Sequence, residues 1–196
     1  GIQTPSEAYG SQLLEDETLD EIPSSVPMIN ASKVSGRLKN GLGIGVFNAI
    51  TAEQRANSTN TTENSSREVT ISPLTNYNVI VLDQNLKNNG FINFTNTNVL
   101  RSGNFYDTNV SGLNTKFNTK SNNYFLESFA VLSNKIDEGN SLLGHSWGIE
   151  TGKQRGQLTY GIEYYEESDT YDPNDLGFLR ANNSRVTEIS IGFRNF

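Results

Sequence analysis

The sequence predicts an all-β chain, an antiparallel up-and-down meander of about nine long strands forming part of a transmembrane β-barrel. Three observations predict it. Apolar residues alternate with small or polar ones, period two, over most of residues 26–196. The runs so defined are roughly 8 to 12 residues long, above the five or six usual in soluble proteins and near the 9 to 11 that cross a bilayer. Tight turns alternate with long polar loops, the asymmetry of an outer-membrane barrel.

Residues 1–25 are acidic and aperiodic, with Glu15, Asp16, Glu17, Asp20 and Glu21 in one charge run. They read as a solvated extended arm or loop, and residues 26–196 as the barrel segment. The first hairpin joins Ile29–Lys39 to Leu42–Thr51 through Asn40-Gly41, a strong turn signal. In its second arm Leu42, Ile44 and Val46 face one way; Gly41, Gly43, Gly45 and Ala49 face the other. Residues 52–69 read as a polar loop, because no large apolar residue is present to anchor them.

A second hairpin turns at Asn88-Asn89-Gly90, placing Ile92 and Phe94 opposite in facing to Phe91 and Asn93. The stretch 101–112 reads as a loop. A third hairpin turns at Asn122-Asn123, and a fourth near Gln154-Arg155-Gly156. In the fourth, Leu158, Tyr160, Ile162 and Tyr164 oppose Thr159, Gly161, Glu163 and Tyr165. The last strand sets Ile189, Ile191 and Phe193 against Glu188, Ser190, Gly192 and Arg194. Tyr77, Phe91, Tyr124 and Tyr164 lie near strand ends, where an aromatic girdle would sit.

Bulk composition narrows the function. With 196 residues, net charge −7 and pI near 4.8, the chain has no electrostatic footprint for nucleic acid. Cysteine is absent and histidine occurs once, at His145, so thiolate and histidine-cluster metal sites are excluded. Hydrophobic residues make up 34% and mean hydropathy is −0.52, lean for a soluble core of this length. No apolar run reaches the ~18 residues of a membrane helix, a test that strands escape. The chain opens on Gly1 without a leader pattern, which reads as a processed or excised piece.

Candidate sites are few. The glycines at 36, 41, 43 and 45 suggest a phosphate loop, but a dinucleotide fingerprint needs different spacing and a helix after it. Glycines on the inner face of a barrel wall, leaving room for other groups, explain them better. The stretch 163–178 clusters acids; Asp169, Asp172 and Asp175 are the candidates to hold Ca²⁺, although the EF-hand pattern fails. Solvated loop carboxylates are the plainer reading, and no cofactor is otherwise expected. Glu150 and Glu163 fall on neighbouring strands, where a carboxylate pair would suit glycoside hydrolysis. His145 shares a face with Leu143, Trp147 and Ile149 and belongs to no triad order. The sequence therefore favours a non-enzymatic role.

Three blocks carry a resemblance: "NASKVSGRLKNGLGIGVFNAIT", "PLTNYNVIVLDQNLKNNGFINFTNTNVLR" and "DPNDLGFLR". Together, from about residue 28 to the end, the chain resembles an uncharacterised family of Gram-negative outer-membrane β-barrels. In that family the barrel follows a domain resembling family 9 carbohydrate-binding modules. The family's patterns fall on Lys33, Ser35, Gly36 and Arg37, and on Asn174, Asp175, Leu176, Gly177 and Phe178. The resemblance implies the cell outer membrane as location, its lipid bilayer as partner, and transport, surface binding or assembly as role. Other envelope proteins or surface glycans are further expected partners, and more strands would follow residue 196. The alternative from a different class is a soluble secreted β-domain binding carbohydrate, whose apolar faces would converge on one core.

Overall fold

The computed structural model describes residues 13–20 and 25–195. Twelve strands occur in them: β1 (Glu17–Leu19), β2 (Met28–Arg37), β3 (Leu42–Thr51), β4 (Gln54–Asn60), β5 (Ser65–Ser72), β6 (Thr75–Asn85), β7 (Phe91–Arg101), β8 (Asp107–Asn118), β9 (Tyr124–Asp137), β10 (Asn140–Lys153), β11 (Leu158–Glu167) and β12 (Arg185–Phe193). There is no α-helix among the described residues. Nine strands form one sheet in the order β12-β11-β10-β9-β8-β7-β6-β3-β2, and β1-β4-β5 form a second. Every pairing is antiparallel. Apart from the β4–β5 excursion, each strand pairs with the next in sequence, so the large sheet is a meander. It does not close on itself: β2 and β12 are its edges among the described residues.

Several expectations need correction. Residues 52–69, expected to be loop, are mostly a hairpin, β4–β5. Alternation supplies what large apolar residues do not: Ala56, Ser58, Val69 and Ile71 are buried between more exposed neighbours, except at the end of β5, where Ser72 is buried as well. Part of the acidic arm also pairs, as β1 against β4. β8 starts at Asp107, inside the stretch read as loop. β9 and β10 are joined by Glu138-Gly139, both with positive φ (48° and 82°), the two-residue turn favoured by sheet twist.

Turns gather at one end of the large sheet, at 38–41, 86–90, 119–123 and 154–157. The other end carries the β4–β5 excursion and the longer 168–184 loop, with two short connections, the five residues 102–106 and the Glu138-Gly139 turn. Asn40-Gly41 does turn the first hairpin, though only Gly41 is left-handed (φ +89°). Its N–H donates to the Leu38 carbonyl at 2.9 Å, and the Leu38 N–H to the Leu42 carbonyl at 2.8 Å. This is a type I turn followed by a glycine bulge.

Register fixes two faces. One carries Val34, Ile44, Leu82, Phe94, Leu113, Leu126, Trp147, Ile149, Ile162, Ile189 and Ile191, all exposed except the partly buried Phe94. The other carries Gly43, Gly45, Thr95, Asn93, Asn114, Lys116, Glu127, Gly148, Glu150, Glu163 and Glu188. Tyr77 and Phe91, expected in a girdle with Tyr124 and Tyr164, lie on this second face, because their strands' parity puts them there. Tyr77 is buried with Ala49 and Val99, against Phe47, in a small cluster on it. Accessible surface totals 12576 Å², against roughly 9,200 Å² for a compact monomer of this mass. The apolar faces do not converge on a shared core.

Candidate functional site

The polar face holds the side chains with chemistry. One register row runs Lys116, Glu127, Glu150, Glu163, Glu188 across β8 to β12, each residue directly opposite the next. Alternation aims all five the same way. The Lys116 ammonium donates to the Glu127 carboxylate at 2.7 Å, and among the described residues no such partner reaches Glu150 or Glu163. Like charges facing each other across strands are destabilising, so this row stores repulsion. Beside it is a cavity of about 130 Å³, lined by Asn114, Phe129 and Gly148 with Glu127, Glu150 and Glu163. Gly148 is required there: a Cβ would stand 2.5 Å from the Phe129 ring.

Toward the loop end the same face is covered by the 168–184 segment. Ser168 continues the β10–β11 ladder, its N–H donating to the His145 carbonyl at 2.9 Å. The chain then crosses onto the polar face. A Cβ on Gly144 would stand 2.3 Å from the Thr170 carbonyl oxygen and 2.4 Å from the Tyr171 Cα. The Asp172 N–H donates to Ser133 Oγ on β9 at 3.1 Å. Farther on, Asp175 accepts from the guanidinium of Arg101, on β7. Arg101's side chain is 2% exposed and also donates to the Tyr106 carbonyl at 2.8 Å. Its guanidinium stacks 4.4 Å over the Tyr106 ring, and the Lys135 ammonium lies 3.9 Å from the same ring. Burial holds the Tyr171 hydroxyl above its ordinary pKa.

These contacts place the three cation candidates. Asp175 faces Arg101. Asp172 accepts from the Asn174 backbone and side-chain amides at 3.0 and 2.7 Å, closing a local turn. Asp169 contributes its backbone carbonyl to Asn182. Among the described residues no group of three or more Asp, Glu or His is placed to hold a metal ion. Glu150 and Glu163 do come together, in register. His145 lies on the apolar face as its neighbours implied, with Nε2 3.8 Å from Glu166. Trp147 packs at 5.3 Å against Tyr164 on that face.

Of the family patterns quoted above, Arg37 pairs with Asp83 at 2.6 Å and with the Gly41 carbonyl at 2.5 Å. Gly43 provides the room, since its Cβ would meet that guanidinium at 3.2 Å. The Asn174–Phe178 block lies in the loop that reaches Arg101. Sequence reasoning missed Arg101, Ser133 and Gly144. A basic residue ending a neutral, asparagine-rich strand was a signal, but nothing marked its partner 74 residues away.

The family model for DUF5916, a domain of unknown function, matches residues 2–196. The chain belongs to this family. No curated protein and no solved structure matches it. The family match covers the strands of both sheets and the crossing loop alike, so all belong to one family domain.

Proposed function

We propose that the chain is wall of an outer-membrane β-barrel, with the apolar face toward lipid and the polar face lining the lumen. One observation carries this reading: the exposed apolar band is oblique to the register rows. On β3 the band is Leu42, Ile44 and Val46. Ile44 shares a row with Leu82, Phe94, Leu113, Ala130, Trp147, Glu166 and Arg185. On β12 the band is Ile189, Ile191 and Phe193, centred six residues beyond Arg185 toward the turn end. Six residues at about 3.3 Å over seven strand steps of about 4.8 Å gives a tilt of roughly 30°. Barrel strands in membranes tilt by about 35 to 45°, so a level lipid layer would draw nearly this band.

A polar border supports the same reading. Asn48, Asn78, Asn98, Asn109 and Asn134 occupy one register row of the apolar face, on the loop side of the band. They bond to one another's neighbours: Asn48 Nδ2 reaches Asn78 and Asn76 at 2.8 and 2.6 Å. Asn96 Nδ2 reaches Ser111 Oγ at 2.8 Å. Such a row suits the level of lipid headgroups, where amides meet water and sugar. Trp147 and Tyr164, with Glu166 and Arg185 just beyond, repeat the boundary on β10 to β12. A soluble carbohydrate-binding domain would instead need the apolar side chains gathered inside.

The role assigned is passage or surface binding across that wall, with strands paired to the β2 and β12 edges completing the ring. Linkage to a carbohydrate-binding module and surface glycans stays part of the proposal. The test is partitioning and gel mobility of the full-length protein. Retention in detergent or vesicles, with faster migration before boiling than after, supports the wall. An aqueous protein with unchanged mobility refutes it.

A further inference from the structure

We infer that the 168–184 loop is an internal constriction, held across the lumen side of the wall by the buried Arg101–Asp175 pair. The inference rests on the barrel-wall reading and adds to it a place where the lumen is narrowed. Three independent contacts fix the loop's path over strands to which it is not connected. Gly144 on β10 has lost its side chain where the Thr170–Tyr171 backbone crosses. Ser133 on β9 receives the Asp172 N–H at 3.1 Å. Arg101 on β7, four strands from β11 in the sheet, receives Asp175. A loop merely solvated at the rim would need none of them.

Burial shows the same coverage. Ser133, Ser146, Thr108 and Arg101, polar groups of the lumen face, are all buried near this end. Tyr171 is buried among them. Glu127 and Glu163, on the same face toward the turn end, remain partly open. A buried arginine without its carboxylate is strongly unfavourable, so Asp175 acts as the latch that keeps the loop down. Passage along the lumen then has to pass the loop at one end and the carboxylate row at the other. Solutes that pass are small and hydrated, as expected of a narrowed pore.

The test uses the full-length protein in planar lipid bilayers. Asp175→Asn weakens the latch and should raise unit conductance about twofold or more over the unsubstituted protein. The chain has no cysteine, so Ser133→Cys with Asp172→Cys introduces one pair within it, and any cysteine elsewhere in the full-length protein is replaced by serine. Added to Asp175→Asn, the oxidised pair should return conductance to the unsubstituted value, and reduction should raise it again. Should Asp175→Asn fail to fold, the comparison is repeated with residues 170–182 shortened in an Arg101→Met background, leaving no unpaired buried cation. A heat-modifiable, inserted protein whose conductance ignores all these changes overturns the constriction alone. A protein that never inserts overturns the wall reading, and the constriction with it.

Discussion

Arginine placed at Ile162 distinguishes a lipid-facing wall from a water-facing sheet. Ile162 is in the middle of the apolar run on β11 and is 48% exposed. In water, a substitution at so exposed a site changes stability by about 0.5 kcal/mol or less. Facing lipid near the bilayer midplane, arginine costs about 2 to 4 kcal/mol, and near an interface only about 0 to 1. Asn78→Arg, in the asparagine row of the same face, is the interface control. Ile44→Arg on β3 tests the tilt: by register Ile44 lies four residues nearer the loop end than Ile162, as Trp147 and Thr151 show. The oblique band makes their costs equal. Urea titration of the full-length protein in lipid vesicles measures all three, followed by tryptophan fluorescence, to which Trp147 contributes. The reasoning is refuted if Ile162→Arg folds as well as the unsubstituted protein, or if Asn78→Arg costs as much.

Four further outcomes are expected. Gly144→Val drives a side chain into the Thr170–Tyr171 backbone and should cost about 1 to 3 kcal/mol or lift the loop, read as new protease cleavage within 168–184. Gly41→Ala forces a side chain into the left-handed region (φ +89°) and should cost roughly 1 kcal/mol, measured by the same urea titration. Glu150→Gln removes one charge from a row of facing carboxylates and should stabilise by about 0.2 to 1 kcal/mol at low salt, with the gain shrinking as salt is added. Glu17 accepts from Arg67 Nε and Nη2 at 2.6 and 2.7 Å and its carboxyl is held down to about 2 from an ordinary 4.5. A lowered carboxylate pKa stabilises fully above the ordinary value and is lost as pH falls toward the folded one. Hydrogen exchange at β1 should therefore speed up between pH 4.5 and 2 beyond its intrinsic pH trend, and Glu17→Gln should show that loosening already at pH 7.

How much of this was legible in the sequence follows from the range of the forces. Strand identity and facing are local, so Leu158 to Tyr165 and Ile189 to Phe193 read correctly: each side chain's face is set by its parity alone. The tyrosine at 77 defeated a compositional rule, the girdle, where parity would have assigned it correctly. β4 and β5 were missed because their buried positions are Ala56, Ser58, Val69 and Ile71, too small or too few to stand out among threonines and asparagines. The carboxylate row needed register. Glu127, Glu150, Glu163 and Glu188 are spread over 62 residues, and only the exact pairing of four strands aligns them. Arg101 and Asp175 needed the fold itself, since no local pattern connects a strand end with a loop so distant.

Glycine on the polar face is what makes the two ends of that face different. Gly43 admits the Arg37 guanidinium, which then reaches Asp83; Gly148 admits the Phe129 ring; Gly144 admits the main chain of the loop. Each is a Cβ removed where something larger must lie flat on the sheet. The opposite face has no such constraint, so its aliphatic side chains alternate with those glycines at no steric cost. A sheet built this way is filled from its own chain at the loop end. At the turn end it keeps an open strip, and there the four carboxylates face one another with a single lysine to offset them. Repulsion in that strip is relieved by screening water or cations, or by proton uptake. An open, hydrated strip at this end of the polar face suits the lumen proposed above.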